Sequence, residues 1–227
     1  MTFETFKSLI PKIQKMLVPG ESAHYIMAPE LRKEELDKIK VEERNSRHAA
    51  VLMLLYPKNN EAYLSLILRP TYEGVHSGQI ALPGGKVEEI DENYRATALR
   101  EAWEEVGVPP DSVAIIKELT QVYIPPSNFW VHPYLGYTKD IPDFVRQEEE
   151  VEKIIEVPIR KLLDETSVVS RNLSTSYAKN IEVPSFKLND YTVWGATAMM
   201  LSELKILLKS TLDTRFCIFG TLFLFNI

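Results

Sequence analysis

Residues 84–108, GGKVEEIDENYRATALREAWEEVGV, constrain the fold of this chain most tightly. Two glycines form a turn, and a predicted helix follows it and stops at Gly107. Glu101, Glu104 and Glu105 occupy positions i, i+3 and i+4, so they project from one side of this helix. Three adjacent carboxylates repel each other unless a cation lies among them. Because hard cations such as Mg²⁺ prefer oxygen ligands and often bind substrate phosphates as well, the segment predicts metal-assisted chemistry on a phosphorylated substrate.

The composition narrows the classes of function that fit this chain. The net charge is −6, which argues against a nucleic-acid partner because general nucleic-acid binders usually carry a basic face. Cys217 is the only cysteine, so no intramolecular disulfide can form, and a reducing compartment, the cytoplasm, is expected. Residues 1–17 lack the continuous apolar segment of a signal peptide. We also expect no membrane partner.

The sequence divides into three parts. Residues 1–45 are predicted to form an N-terminal helix and a linker, residues 46–210 the catalytic domain, and residues 211–227 an apolar tail. The tail is too short to span a bilayer, and we interpret it as a strand or plug buried in the fold or at a subunit interface. One side of the first helix is apolar, which predicts that it docks on the chain or contacts a second copy in a homodimer. The residues on this side are Phe3, Phe6, Leu9, Ile10, Ile13 and Leu17.

Hydrophobic patterns predict strands mixed with two or three helices, which is typical of a layered α/β domain. Turns are expected at Pro57–Asn60 and at Asn189–Asp190. Strands are predicted at residues 48–56, 62–68, 79–82, 114–122, 130–137, 151–157, 179–188 and 191–193. Helices are predicted at residues 94–105, 159–164 and 195–209.

The glycine turn and the acidic helix together resemble the signature of the Nudix hydrolase superfamily. In that signature a glycine, a distal acid, Arg-Glu, Glu-Glu and a final glycine are spaced along a loop–helix–loop, and Arg100 and Gly107 fall in place here. The resemblance implies an α/β/α sandwich with a mixed β-sheet and a catalytic loop–helix–loop. The loop is one residue longer than the commonest spacing. Either Asp91 or Glu92 is therefore expected to brace it, through Arg100.

The flanking segments resemble the coenzyme A pyrophosphatase-like subfamily. Arg69, Gly78 and Pro83–Gly85 match its upstream motif, and the resemblance extends over about Arg47–Lys209. It implies hydrolysis of coenzyme A or a derivative to adenosine 3′,5′-bisphosphate and 4′-phosphopantetheine. An ADP-ribose or nucleotide pyrophosphatase is the alternative. A Nudix-like module that binds a nucleotide without hydrolysing it is a third hypothesis.

The expected site uses Mg²⁺ or Mn²⁺ as cofactor and a small nucleotide-containing molecule as substrate. Glu101 and Glu105 are the predicted main metal ligands, with Glu104 as an additional ligand. The general base is left open between Glu104 and Glu150. The predicted catalytic residues are Glu104, Glu150 and Arg100. The predicted substrate-binding residues are Arg69, His76, Gly84 and Gly85, where glycine permits close approach of the backbone.

Overall fold

A long strand buried on both faces, β1, organises the fold of the computed structural model, which describes residues 1–29, 46–71, 77–173 and 181–213. Most of the predicted linker (30–45), His76, and residues 214–227 of the predicted tail lie outside the described residues. The helices are α1 (Phe3–Lys15), α2 (Glu21–Tyr25), α3 (Tyr94–Val106), α4 (Ile159–Leu163) and α5 (Gly195–Leu212). The strands are β1 (Arg47–Lys58), β2 (Glu61–Leu68), β3 (Ile80–Ala81), β4 (Gly84–Lys86), β5 (Ala114–Glu118), β6 (Val122–Ile124), β7 (Phe129–Tyr137), β8 (Lys153–Pro158), β9 (Val168–Leu173), β10 (Ile181–Leu188) and β11 (Tyr191–Val193).

The larger sheet is mixed, as predicted. Its strand order is β3-β2-β1-β7-β5, with β4 paired to β1, β6 to β7 and β8 to β2. Strand β1 runs parallel to β7 and antiparallel to β2 and β4. A strand in this central position is covered on both faces, which explains why its sequence is an almost unbroken apolar run. A second sheet has the order β11-β10-β9.

Alternate residues of β1 enter two separate cores, one on each face of the sheet. Leu52 and Leu54 pack with α3, whereas Met53 and Leu55 pack with α1 and α5. The arrangement is therefore an α/β/α sandwich, and the predicted fold class is confirmed. In the part of the chain that the structure describes, no helix is both long and apolar enough to cross a membrane.

Two asparagines close the β1–β2 hairpin. Asn59 and Asn60 have φ angles of 51° and 63°, and Lys58 pairs with Glu61 directly across the turn. Positive φ at both central residues defines a type I′ turn, which suits the twist of antiparallel strands and favours asparagine. The predicted turn is confirmed, although Pro57 and Lys58 belong to β1.

Helix α1 docks on the chain's own core. Phe3, Phe6 and Ile13 are buried there, and the Nζ atom of Lys12 donates a hydrogen bond of 2.8 Å to the carbonyl oxygen of Thr211 near the end of α5. The prediction for Leu17 was wrong: this side chain is 92% exposed. The helix has already ended at Lys15, so Leu17 lies beyond the helical repeat that would direct it inward.

Glu203 of α5 is fully buried and joins three parts of the chain. Its carboxylate accepts hydrogen bonds from the backbone N–H of Gly20 (3.0 Å) and from the backbone N–H (3.0 Å) and hydroxyl (2.6 Å) of Thr120. The Nε2 atom of His24 lies 3.2 Å from the same carboxylate. Burial alone raises the pKa of Glu203, but the hydrogen bonds from His24 and Thr120 bring it below its ordinary value.

The observed strands differ from the prediction at three places. The single strand predicted at residues 114–122 is two strands, β5 and β6, because the chain between them turns so that Thr120 reaches Glu203. Strand β9 was not predicted. The predicted glycine turn is itself a short strand, β4, because Gly84 and Gly85 pair with β1.

Candidate active site

Helix α3 has defined ends that fix its position over the sheet. The side chain of Asn93 accepts a hydrogen bond of 3.0 Å from the backbone N–H of Ala96 at the start. Gly107 ends the helix in the left-handed conformation, with φ of 74°, and its N–H donates to the carbonyl of Trp103 at 2.9 Å. Ala98 and Ala102 on the inner side bring the helix close to β1 because their side chains are small. The helix end predicted from Gly107 is confirmed.

Strand β4 passes directly beneath the carboxylates of α3. The backbone N–H of Gly84 donates a hydrogen bond of 2.8 Å to the Oε2 atom of Glu105. A Cβ atom at Gly85 would lie 2.4 Å from the Oε2 atom of Glu101. The absence of a side chain at Gly85 therefore gives Glu101 its place, and the backbone at Gly84 orients Glu105.

Two of the three predicted metal ligands are buried. Glu101 is 9% exposed and Glu105 is 2% exposed, whereas about half of the Glu104 side chain is exposed. Burial raises the pKa of Glu105 to about 8, and the charges of Glu101 and Glu150 act in the same direction. The hydrogen bond from Gly84 and the charge of Arg69 oppose this shift. The pKa of Glu101 is also raised, chiefly by burial.

The donor set fits a hard divalent cation. Glu101 and Glu105 offer carboxylate oxygens that are largely withdrawn from water, and a divalent cation would stabilise their ionised forms. Among the described residues, no three acidic or imidazole groups are already close enough to share one ion. The Nη1 atom of Arg100 lies 3.0 Å from the Oε1 atom of Glu101 and 2.8 Å from the Oε2 atom of Glu104. Glu101 and Glu105 are the better-placed candidate ligands because both are buried, whereas Glu104 is half exposed and would need to rotate.

Arg100 braces the loop before α3. Its Nε and Nη2 atoms donate to the two carboxylate oxygens of Asp91, both at 2.9 Å, and Nη2 also donates to the carbonyl of Lys86 at 3.1 Å. Asp91 also accepts from the hydroxyl of Thr97 at 2.9 Å. The hydrogen bonds from Arg100 are the main reason that the pKa of Asp91 is lowered to about 2.

This network bears on two of the sequence predictions. Asp91, and not Glu92, is the acid that braces the loop: the Asp91 side chain is 3% exposed, while Glu92 is exposed. Arg100 was predicted as a catalytic residue, but its guanidinium contacts Asp91, Glu101, Glu104 and a backbone carbonyl. These contacts support a positioning role for Arg100. No sequence pattern indicated Thr97, whose role depends on where the loop folds back.

Replacing Arg100 with lysine tests the positioning role. Lysine keeps the charge but cannot form the two-pronged contact with Asp91, so the loop and Glu101 should lose their fixed orientation. For Arg100→Lys we expect kcat/KM to fall by about 10- to 100-fold, the range for residues that orient metal ligands. Steady-state kinetics measures the loss, and Arg95→Lys, on the exposed side of α3, is the control. Unchanged kinetics in Arg100→Lys would contradict the role.

The segment before β8 is tied to the end of α3 and carries Glu150. The backbone N–H of Gln147 donates to the carbonyl of Glu105 at 3.0 Å, and Val151 is fully buried. The charge of Glu150 contributes to the raised pKa values of Glu101 and Glu105. Glu150 therefore lies within electrostatic reach of both buried carboxylates while its own side chain stays exposed to water.

Arg69 follows the end of β2 and reaches the same region. Its backbone N–H donates to the carbonyl of Gln79 at 3.0 Å, and its charge lowers the pKa of Glu105. Among the described residues, no acceptor lies within hydrogen-bonding distance of its buried Nε atom. A buried guanidinium nitrogen without an acceptor is suited to bind an anionic group of a substrate. His76 falls outside the described residues.

A stack of three rings supports the start of α3. The ring of Tyr94 lies 3.7 Å from that of His132, centre to centre, and the Nδ1 atom of His48 lies 3.1 Å from the Nε2 atom of His132. Burial is the main reason that the pKa of His132 is lowered; His48 lowers it further and Glu118 opposes the shift. The sequence did not reveal this pair because His48 and His132 lie on strands far apart in the chain, β1 and β7.

We expect the folded protein to lose stability at acidic pH because of His132. Its pKa in the folded state is below the ordinary value of 6.5, so the unfolded chain binds the proton more readily. The stability that depends on neutral His132 is thus present above about pH 6.5 and is lost as the pH falls below it. Urea unfolding at about pH 7 and about pH 5 should show a smaller loss for His132→Gln than for the wild type. Equal losses would contradict this account.

The structure is an α/β/α sandwich in which a loop–helix–loop presents two buried carboxylates, a donor set suited to a divalent cation. The chain belongs to the Nudix family: residues 46–176, more than half of its length, match the NUDIX domain. It is a Nudix hydrolase, a pyrophosphatase, and it resembles the coenzyme A pyrophosphatase subfamily. Nudix hydrolases use divalent metal ions and act on small molecules that contain a nucleotide.

Relatives cover most of the chain. The uncharacterized Nudix hydrolase NudL of Enterobacter sp. (strain 638) is 34% identical over 169 residues, which cover 71% of this chain and 83% of that protein. The peroxisomal coenzyme A diphosphatase ndx-8 of Caenorhabditis elegans is 28% identical over 169 residues, covering 73% of this chain and 70% of that protein. A MutT/nudix family protein from Enterococcus faecalis has a TM-score of 0.51 at 15% identity, covering 86% of this chain and 76% of that one. This last likeness shows the fold alone.

Proposed function

We propose that the chain hydrolyses the diphosphate of coenzyme A or its derivatives, with Mg²⁺ or Mn²⁺ as cofactor. The proposal rests on the buried carboxylates of Glu101 and Glu105 and on Arg69, whose charge acts on Glu105 and whose Nε atom has no hydrogen-bond partner in the described part of the chain. The relative named as a coenzyme A diphosphatase supports the choice of substrate. The single cysteine supports a cytoplasmic location.

The reaction is a hydrolysis, and water is the only reactant besides the substrate. The oxygen of water forms a bond to one phosphorus of the diphosphate, and the bond from that phosphorus to the bridging oxygen breaks. The products are two phosphate monoesters, adenosine 3′,5′-bisphosphate and 4′-phosphopantetheine, and a proton is released. A bound divalent cation supplies charge neutralisation for the diphosphate oxygens and acidifies water.

The side chains divide this work by their positions. Glu101 and Glu105 would hold the cation, with Glu104 as an additional ligand after rotation. Arg69 would bind a phosphate oxygen through its guanidinium. Glu150 is the favoured general base because its carboxylate is exposed and within electrostatic reach of both buried carboxylates, whereas Glu104 is paired with Arg100.

A substrate panel tests the proposed function. Purified protein with Mg²⁺ should cleave coenzyme A with a higher kcat/KM than ADP-ribose or deoxynucleoside triphosphates. The two expected products can be separated from coenzyme A by chromatography. If kcat/KM were higher for ADP-ribose or for a nucleotide, that compound would be the substrate instead of coenzyme A. The roles assigned to the catalytic carboxylates would stand.

A further inference from the structure

A cleft of about 520 Å³ opens at the edge of the sheet, between β8, α4 and the β10–β11 turn. Its charged, polar and aromatic lining residues are Lys153, Glu156, Lys161, Asn189, Asp190 and Tyr191. Two apolar residues complete the lining of this cleft, which we call the lysine cleft: Ile155 belongs to the core on the α1 and α5 side of the sheet, and Ile154 packs against the core on the α3 side. The lysine cleft therefore follows the outer edge of β8, on the side away from β2, and meets both faces of the sheet.

Positive charge is concentrated around the lysine cleft, although the chain as a whole has a net charge of −6. The carboxylate of Glu156 is already paired, with the Nζ atom of Lys58 at 2.7 Å and the hydroxyl of Tyr56 at 2.9 Å. The Nζ atom of Lys187 donates to the backbone carbonyl of Asp190 at 2.6 Å, which adds a further cation at this end. Among the residues that line the cleft, Asp190 is the other acidic residue beside Lys153 and Lys161.

The two lysines that line the cleft are held differently. The Nζ atom of Lys161 donates to the Oδ1 atom of Asn189 at 2.7 Å, and the Nδ2 atom of Asn189 donates to the carbonyl of Glu156 at 3.1 Å. Lys161 is thus fixed in place. The Nζ atom of Lys153 lies 5.8 Å from the centre of the Tyr191 ring, and among the described residues no carboxylate pairs with it. An ammonium beside an aromatic ring is suited to a ligand that has both an anionic group and a flat base.

The lysine cleft begins next to the strand end that carries Arg69. Lys153 pairs with Leu68 across β8 and β2, and Leu68 directly precedes Arg69. The backbone N–H of Glu152 donates to the carbonyl of Leu68 at 2.9 Å, which fixes this spacing. A substrate held by its diphosphate beside Arg69 therefore has the lysine cleft at the neighbouring strand, one residue away in register.

We propose that the lysine cleft binds the 3′-phosphate of coenzyme A, with Lys153 and Lys161 as its cationic partners and Tyr191 beside the adenine ring. This inference rests on the proposed function. Of the two halves of coenzyme A beyond the diphosphate, only the adenosine half carries another phosphate, whereas the pantetheine arm is uncharged. The charge of the cleft therefore selects the adenosine half.

Kinetics with coenzyme A and 3′-dephospho-coenzyme A tests the proposal, because the two substrates differ only in that phosphate. Lys153→Glu should lower kcat/KM for coenzyme A by about tenfold or more, mainly through KM, and change that for the dephospho substrate by less than about twofold. Lys7→Glu, the same change on the outer side of α1, should alter neither value. Equal losses for both substrates, or no loss for coenzyme A, would overturn the proposal.

A binding experiment separates this inference from the proposed function. Calorimetry should show that Lys153→Glu lowers the affinity for adenosine 3′,5′-bisphosphate by about tenfold or more. The affinity for AMP should change by less than about twofold. That result would support the lysine cleft even if the wild type failed to cleave coenzyme A, in which case the proposed function alone would fall. Equal wild-type affinities for the bisphosphate and AMP would overturn the cleft assignment, even with coenzyme A cleaved.

Discussion

Glu105→Gln should lower kcat/KM for the best substrate of the panel by about 10³-fold. A bound cation contributes roughly several kcal/mol of charge stabilisation to the transition state, and about 1.4 kcal/mol corresponds to a tenfold change in rate. Glutamine keeps the shape of the side chain and can still accept the hydrogen bond from the backbone N–H of Gly84. Steady-state kinetics at saturating Mg²⁺ measures the loss.

The same variant should fold at least as well as the wild type. Burial raises the pKa of Glu105 to about 8, which means that the folded protein favours the neutral form that glutamine imitates. Mg²⁺ should raise the Tm of the wild type and have little effect on Glu105→Gln, so the metal role has a readout besides activity. Glu92→Gln, an exposed neutralisation near the start of α3, is the control. Full activity in Glu105→Gln would refute the ligand assignment, whereas the absence of turnover in the wild type on every substrate of the panel would favour a binding module that does not hydrolyse.

Gly84→Ala should be the most destabilising single substitution at the site. Gly84 has φ of 151°, and a Cβ atom there would lie 2.3 Å from the carbonyl oxygen of Ala50 and 2.5 Å from the Cα atom of Val51. Both are backbone atoms of the central strand, so the overlap can be relieved only by moving β4 away from β1. We expect a loss of about 4 kcal/mol in the free energy of unfolding, in the range reserved for severe structural conflicts, together with a loss of activity.

Gly195→Ala separates the clash from the backbone strain. Gly195 also has a positive φ, of 64°, but a Cβ atom there would have no neighbour within 4 Å in the described part of the chain. Its cost should be limited to about 1–2 kcal/mol for placing alanine in the left-handed region. Urea unfolding of both variants gives the comparison. Similar losses would show that the contact with Ala50 is unimportant.

The sequence predicted those parts of the molecule whose signal is local. The apolar run of β1, the helix between Asn93 and Gly107, and the asparagine turns each depend on neighbouring residues, and the structure contains all of them. The grouping of Glu101 and Glu105 followed from the helical repeat alone. Local chemistry also marked the glycines, because close backbone approach excludes larger side chains.

The remaining features depend on contacts between distant segments. Strand β4 forms because β1 lies beside it, and its three residues carry no apolar alternation of their own. The sequence could not show whether Asp91 or Glu92 pairs with Arg100, because the two acids are adjacent. The position of the Arg100 guanidinium decides between them. The pairing of His48 with His132 likewise requires the parallel register of β1 and β7.

The carboxylate of Glu203 has a practical consequence for anyone who shortens this protein. It ties Gly20 and His24, which precede the NUDIX match, to α5, which follows it. Trimming the chain to residues 46–176 would remove α1 and α5 together and expose the apolar face of the sheet that they cover. Such a fragment would precipitate instead of reporting on catalysis, so both flanks belong to the smallest working enzyme.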